Sequence, residues 1–527
     1  VNPLLETNDD RPDALVARAE GDRHRPRFHF VSPAGWLNDP NGLSHWDGVY
    51  HLFYQYNPHK AVHSRIHWGH ATSPDLVTWT DAPVALVPGD AADAADADGC
   101  WSGVLVDDHG VPTLVYSGRR GDRELPCVAV GSMDLTEWVA DAANPVISAP
   151  PESLELTAFR DHCVWPHPGG GWRQLIGSGI RGQGGTALLY ESPDLRNWSY
   201  LGPLIVGDSG DRETTADDWT GTMWECVDLF RLEPAGADDE PVDPDVLVFS
   251  AWDDGVTRHT LYLTGRYSGT RFERTALHRL DYGGRYFYAP QSTQDARGRR
   301  VMFGWLQEGR SDAAAETAGW SGVMSLPRLV TRAPDGTLRQ QPVPELETLR
   351  RDHVRLGGFT LIGGERRVGL TPGDQIDIVA ELHLEPGSAA ELVVRATDDG
   401  AERTVIRFSR PDDTHADVTL ELIRTASSLD PSVDATPRGG PIRHVDGLIQ
   451  VRVLVDHSAL EIFVNGQPLA CRVYPTRPDA NGVEFAGIRG RVQVHEAESW
   501  RMADIWHAPR RLWPEPQGFR GTAEVPR

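Results

Sequence analysis

In the heptapeptide Trp36-Leu37-Asn38-Asp39-Pro40-Asn41-Gly42, an acid lies between two amides in an expected turn, shortly after the strand-like run Arg27-Phe28-His29-Phe30-Val31. A carboxylate held rigidly among hydrogen-bond partners is what a nucleophile needs, although Asn-Asp-Pro-Asn-Gly is equally good turn chemistry. Two further segments carry candidate acids, Arg160-Asp161 and Trp224-Glu225-Cys226-Val227-Asp228. Each has a plainer reading: an ion pair between Asp161 and Arg160, and a strand-end surface acid for Glu225. Glycoside hydrolysis needs two carboxyl groups flanking the scissile bond. Asp39, Asp161 and Glu225 meet that need with one to spare, provided the fold brings them together.

A repeat supplies the means. The pattern Ser-x-Asp-Leu-x-x-Trp occurs at Ser73, Ser132 and Ser192, at steps of 59 and 60 residues. So regular a recurrence marks one supersecondary unit used repeatedly. Around the copies lie short β-rich runs separated by Gly, Pro and Asp, such as Val49-Tyr50-His51-Leu52-Phe53-Tyr54 and Ala187-Leu188-Leu189-Tyr190. Four strands per unit, repeated about an axis, predict an all-β fold opening with a five-bladed β-propeller. Asp39, Ser102 and Asp161 precede the three marker serines by 34, 30 and 31 residues, so they should face one funnel. Glu225 opens the next unit, where the marker has decayed.

The expected organisation is a lead-in over residues 1–26, the propeller over 27–340, a linker over 341–354, a β-sandwich over 355–510 and a tail over 511–527. Period-two runs such as Thr404-Val405-Ile406-Arg407-Phe408 and Leu448-Ile449-Gln450-Val451-Arg452-Val453-Leu454-Val455 carry the sandwich. Asn465-Gly466 predicts a type I′ hairpin.

With a net charge of −25, the 527-residue chain is a poor partner for nucleic acid, which is held through Lys and Arg. No apolar run approaches the ~18 residues of a membrane span, so no membrane partner is expected. Seventeen Trp with many Asp, Asn, Gln and His match the way proteins hold sugars, by stacking and by fixing hydroxyls. His51, His59, His63, His67 and His70 are dense enough to raise a zinc site, but no HExxH accompanies them. No metal and no cofactor is expected. An odd count of five Cys argues against a disulfide framework. With no signal peptide visible at Val1, the expected location is cytoplasmic in preference to secreted.

At this density of motifs the sequence resembles glycoside hydrolase family 32, the β-fructosidases that include invertase, inulinase and levanase. The resemblance runs from about residue 24 to 508 and rests on residues 36–42, 159–161 and 224–228. Supporting matches include Tyr54-Gln55-Tyr56-Asn57-Pro58, His67-Trp68-Gly69-His70, Gly99-Cys100-Trp101-Ser102-Gly103, Phe287-Tyr288-Ala289-Pro290-Gln291-Ser292 and Val455-Asp456-His457-Ser458. It implies a five-bladed propeller with a C-terminal β-sandwich, and retaining hydrolysis of terminal β-fructofuranosyl groups from sucrose and short fructo-oligosaccharides. Asp39 would be the nucleophile, Glu225 the general acid/base with a pKa raised toward neutrality, and Asp161, held by Arg160, the transition-state stabiliser. Asn38, Gln55, Trp68, Trp101 and Ser102 would line the fructose subsite, with core or turn roles as their alternatives.

His162 stands where the family usually has Pro after Arg-Asp. It is expected to relax the loop or bond near the sugar, and it could bring a titration near pH ~6.5 into the site. Trp101, Val104 and Val227 also depart from the commoner residues. Exo-levanase, inulinase or fructosyltransferase activity remains an alternative, as does a non-catalytic fructan-binding propeller. Oligomeric state is open.

Overall fold

The computed structural model describes residues 12–210, 213, 214, 216–232, 243–413, 415–507, 510 and 512. All but one residue of the tail expected over 511–527 lies outside that set, as do the first 11 residues of the lead-in. Two all-β units follow one another, a propeller and a sandwich.

Five antiparallel sheets of mainly four strands form the propeller. Their innermost strands are Gly35–Trp46, Gly99–Asp108, Leu156–Pro166, Met223–Arg231 and Tyr288–Gln294. Each touches the next and the fifth touches the first, so the blades close into a ring. Closure is reinforced where Trp320–Ser321, a late segment, pairs in parallel with Gly35 and Trp36.

The recurring marker proves to be a turn between the third and fourth strands of blades 1 to 3. In the first copy Asp75 Oδ1 accepts the amides of Val77 (2.9 Å) and Thr78 (2.6 Å). Leu76, Leu135 and Leu195 all take left-handed backbone conformations, at φ of 69°, 59° and 64°. A leucine resists that conformation. Burial of its side chain and a bond from the following Trp indole to its carbonyl (Trp79, Trp138 and Trp198, at 3.1, 3.2 and 2.9 Å) hold it there.

Every innermost strand breaks register at the same level. Asn38 and Asp39 together oppose Gln55, Ser102 is extra between Trp101 and Gly103, and Asp161 between Arg160 and His162. Cys226 with Val227, and Ala289 with Pro290, do the same in blades 4 and 5. These are β-bulges, which re-aim side chains that a regular strand would send to alternate faces. Three of them place Asp161, Cys226 and Ala289 at φ of 66°, 46° and 49°.

Two expectations are corrected here. The heptapeptide at 36–42 is not a turn but part of the first inner strand, bulged twice. The run at 27–31 is not a strand. It passes along the sandwich, and the Asp456 carboxylate, rather than a neighbouring strand, accepts the amides of Arg27, Phe28 and His29 at 2.7, 2.7 and 2.8 Å.

Residues 344–349 form a 3-10 turn, but 350–354, expected as linker, already belong to the strand Arg350–Leu356 of the sandwich. Sheets of seven and six strands enclose the sandwich core. Asn465 and Gly466, at φ of 51° and 84°, make the expected hairpin turn. The two units share apolar contacts: Leu454, Phe463 and Met502 of the sandwich cluster with Phe28, Phe30 and Leu326. Within that interface Arg328 is wholly buried, bonded to Glu461 at 2.5 Å and Asp281 at 2.9 Å. In the lead-in, helix Pro12–Gly21 packs Leu15, Val16 and Ala19 against the propeller.

Candidate active site

The ring of bulges brings three carboxylates from three blades to one place on the axis. Asp39 is 8% exposed and Asp161 4%. Between them stands the Cys226 thiol, 3.5 Å from Asp39 Oδ2 and 3.7 Å from Asp161 Oδ2. Glu225 is the next residue back along the same strand.

Asp39 is gripped from one side. Its Oδ2 accepts Ser102 Oγ (2.6 Å), Gln55 Nε2 (3.0 Å) and the Cys226 thiol, and Gln55 also bonds Ser102 closely. Its Oδ1 takes the Asn38 amide at 3.1 Å, and Trp36 Nε1 in turn holds the Asn38 oxygen at 2.6 Å. Burial pushes the carboxyl up to about 6; the hydroxyl of Ser102 opposes that, and the nearby Glu225 charge adds to it.

Asp161 is raised further, to about 8, by burial and by Glu225 and Asp39, against the lowering charge of Arg160 and the Cys226 amide. That amide donates to Asp161 Oδ2 at 3.1 Å, while Ser117 Oγ accepts the Asp161 amide at 3.0 Å. Asp39 and Asp161 are thus both raised within one dry site, and the charge of Asp39 adds to the rise of Asp161, so the two do not ionise independently.

The expected grip of Arg160 on Asp161 is corrected. Arg160 reaches Glu225 Oε1 through Nε (3.2 Å) and Nη2 (2.7 Å), and Glu124 through Nη1 (2.9 Å). The guanidinium is committed to Glu225 on one edge and to Glu124 on the other, so only charge acts between Arg160 and Asp161. The second oxygen of Glu225 accepts the Tyr288 hydroxyl at 2.6 Å.

Trp101 is half-buried beside this network, with the Arg119 and Arg160 guanidinium carbons 4.8 and 5.7 Å from its ring centre and His63 edge-on at 5.6 Å. Trp36 meets His63 and Trp305, and Trp252 faces Arg160, completing an aromatic rim. Trp68 stands apart. It is wholly buried among Phe53, Leu114 and Tyr116, and its Nε1 supports the Trp101 carbonyl at 3.1 Å, so no face of its ring is open to a sugar.

His162 is likewise corrected as a titrating group. Burial lowers it to about 3, so it stays neutral through the ordinary pH range. It bonds Ser117 Oγ at 3.1 Å and thereby backs the hydroxyl that holds the Asp161 amide. His51 and His70 bond each other at 3.0 Å, and both are lowered by burial. Among the described residues no group of three His, Cys, Asp or Glu is arranged to hold a metal ion.

Sequence reasoning did not assign Cys226, Tyr288, Trp36 or Glu124. The first three lie inside motifs already singled out, whereas Glu124 carries no local signal.

A propeller with three carboxylates at the head of its axis, under an aromatic rim, is the architecture of a glycosidase. The chain belongs to glycosyl hydrolases family 32: the model of that family's N-terminal domain matches residues 29–342 and that of its C-terminal domain residues 345–501. It is similar to a raffinose invertase of Escherichia coli, 32% identical over 515 residues, covering 93% of this chain and 97% of the relative. Among solved structures it resembles fructan 1-exohydrolase IIa of Cichorium intybus (TM-score 0.81, 30% identity, covering 92% of this chain and 98% of that one). It also resembles a β-fructofuranosidase of Bombyx mori solved in complex with sucrose (TM-score 0.74, 26% identity, 96% and 100% covered).

Proposed function

We propose that the protein releases terminal non-reducing β-D-fructofuranosyl groups from sucrose and short fructo-oligosaccharides, with retention, through a fructosyl ester of Asp39. The observation that carries this reading is the uneven grip on the two oxygens of Asp39. Asp39 Oδ2 is occupied by three donors and Oδ1 by one, which leaves Oδ1 as the attacking oxygen. Glu225, the residue before Cys226 on the same strand, is oriented by Arg160 and Tyr288.

In the first step Asp39 Oδ1 bonds to the anomeric carbon as the glycosidic bond breaks and Glu225 gives its proton to the departing oxygen. In the second, Glu225 takes a proton from water, whose oxygen replaces Asp39 on that carbon. Asp161, rigidly held by the Cys226 amide, accepts fructose hydroxyls and binds them more tightly as the ring flattens, a contribution realised in the transition state. Asn38, Gln55 and Ser102 serve by holding Asp39, Trp101 by stacking, and His162 by backing Ser117. Five unpaired cysteines, four of them buried, support a cytoplasmic setting.

The test is free fructose measured after incubation with sucrose, inulin and levan, alongside Asp39→Asn and Glu225→Gln. Release from sucrose by wild type and its loss in both variants is expected. No release from any of the three by wild type sinks the reading and leaves a binding propeller.

A further inference from the structure

Glu124 lies on the strand Arg123–Gly131 of blade 2, directly across from Arg119 and one pair short of a two-residue turn. Its two oxygens are divided. Oε1 accepts Arg119 Nη1 at 2.6 Å, and Oε2 accepts Arg160 Nη1 at 2.9 Å. Arg160 belongs to blade 3, and the remaining edge of its guanidinium holds Glu225 of blade 4. The result is a line of alternating charge across three blades, Arg119, Glu124, Arg160 and Glu225, whose side chains are 27%, 10%, 8% and 15% exposed.

We propose that Glu124 is a positioning residue for the acid/base, fixing the plane of Arg160 against Trp101 and Trp252 and drawing part of its positive charge away from Glu225. The inference deepens the fructosidase reading above and rests on it. A general acid that touches an unshared guanidinium gives up its proton too readily, because the opposite charge favours the carboxylate. A second carboxylate on the same guanidinium offsets that pull, and in a site this dry little of the effect is screened. Arg119 works in the other sense, since it competes for Glu124 and adds a positive charge of its own. Glu225 is faced by Arg160 and Asp161 from blade 3, Tyr288 from blade 5, Asp39 from blade 1 and Cys226 on its own strand. Of the charges around that contact, Glu124 and Arg119 are the pair that can be changed without touching a group placed at the reacting atoms.

The experiment is the pH dependence of kcat/KM on sucrose for wild type, Glu124→Gln and Arg119→Gln. Glu124→Gln keeps the shape and removes the charge, so the alkaline limb moves to lower pH, by on the order of one unit. Arg119→Gln moves it to higher pH. A structural disturbance alone would lower the rate without displacing the limb in opposite directions. Wild-type release of fructose with both limbs unmoved, or moved the same way, overturns this inference alone. No wild-type release overturns the fructosidase reading and this inference with it. Should Glu124→Gln fail to fold, Arg119→Gln decides: a limb that does not rise overturns the inference.

Discussion

The thiol of Cys226 lies 3.5 Å from Oδ2 of Asp39 and acts there as a hydrogen-bond donor. It opposes the effect of burial on that carboxyl. Cys226→Ala therefore moves the acidic limb of kcat/KM to higher pH, and Cys226→Ser, which restores a donor, moves it less. A full pH profile of fructose release for the two variants checks this; identical acidic limbs in wild type and Cys226→Ala would refute it.

With its carboxyl raised to about 6, Asp39, the proposed nucleophile, is ionised only above that value. Activity should fall tenfold per pH unit below about pH 6. Ser102→Ala removes the 2.6 Å bond to the same oxygen and raises the limb further, which initial rates between pH 4 and 8 will read.

The same burial makes the acids costly to the fold. A carboxyl whose folded pKa lies above its unfolded value destabilises the protein at every pH above the folded pKa, and the cost vanishes below the unfolded one. For Asp39, raised from 3.8 to about 6, this is about 3 kcal/mol near pH 8, as an order of magnitude. Asp39→Asn should raise the melting temperature by several degrees at pH 8 and by nothing at pH 3.5. Asp161→Asn should behave likewise, with its gain beginning to fall at higher pH because that carboxyl is raised to about 8. Calorimetry at the two pH values tests both; a gain that persists at pH 3.5 would assign the effect to packing.

His29 has the opposite sign. Burial disfavours its charged form, but bonds to Asp456 (2.9 Å) and Glu461 (3.2 Å) outweigh that and hold its pKa above the ordinary value. The stabilisation is complete below about pH 6.5 and is lost as pH rises through the folded pKa. His29→Gln should therefore lower the melting temperature more at pH 6 than at pH 9.5. Equal losses at both would count against an imidazolium at the interface.

Trp101 and Trp68 should separate cleanly. Trp101→Ala exposes the rim and should raise KM for sucrose roughly tenfold, the scale of one lost stacking contact with its burial. Trp68→Phe should lower stability through its lost packing and its bond to the Trp101 carbonyl while shifting KM far less.

The repeat made much of this legible. Similar offsets from the three marker serines placed Asp39, Ser102 and Asp161 at one level because each marks the bulge of its inner strand. What the sequence reading could not supply is where a side chain goes once the strand has bulged. Adjacency joined Arg160 to Asp161, whereas the packing of blades 2 and 4 against blade 3 gave the guanidinium Glu124 and Glu225. Burial was equally hidden for Trp68 and His162, since a blade core and a funnel wall draw on the same residue types. Glu124 lay beyond reach for another reason: its partners are 5 and 36 residues away along the chain, and only blade packing makes the second a neighbour.

The parallel pairing of Gly35 and Trp36 with Trp320 and Ser321 also bears on how the chain assembles. Made from the N-terminus, the first blade has an unfilled edge until nearly three hundred more residues have been added. The amides of residues 27–29 wait longer still for Asp456. Contacts of such sequence separation form late and slowly. The funnel therefore closes only after residues 320 and 321 have been made, and a fragment lacking the sandwich, which leaves the amides of 27–29 without Asp456, is expected to be inactive and prone to aggregate.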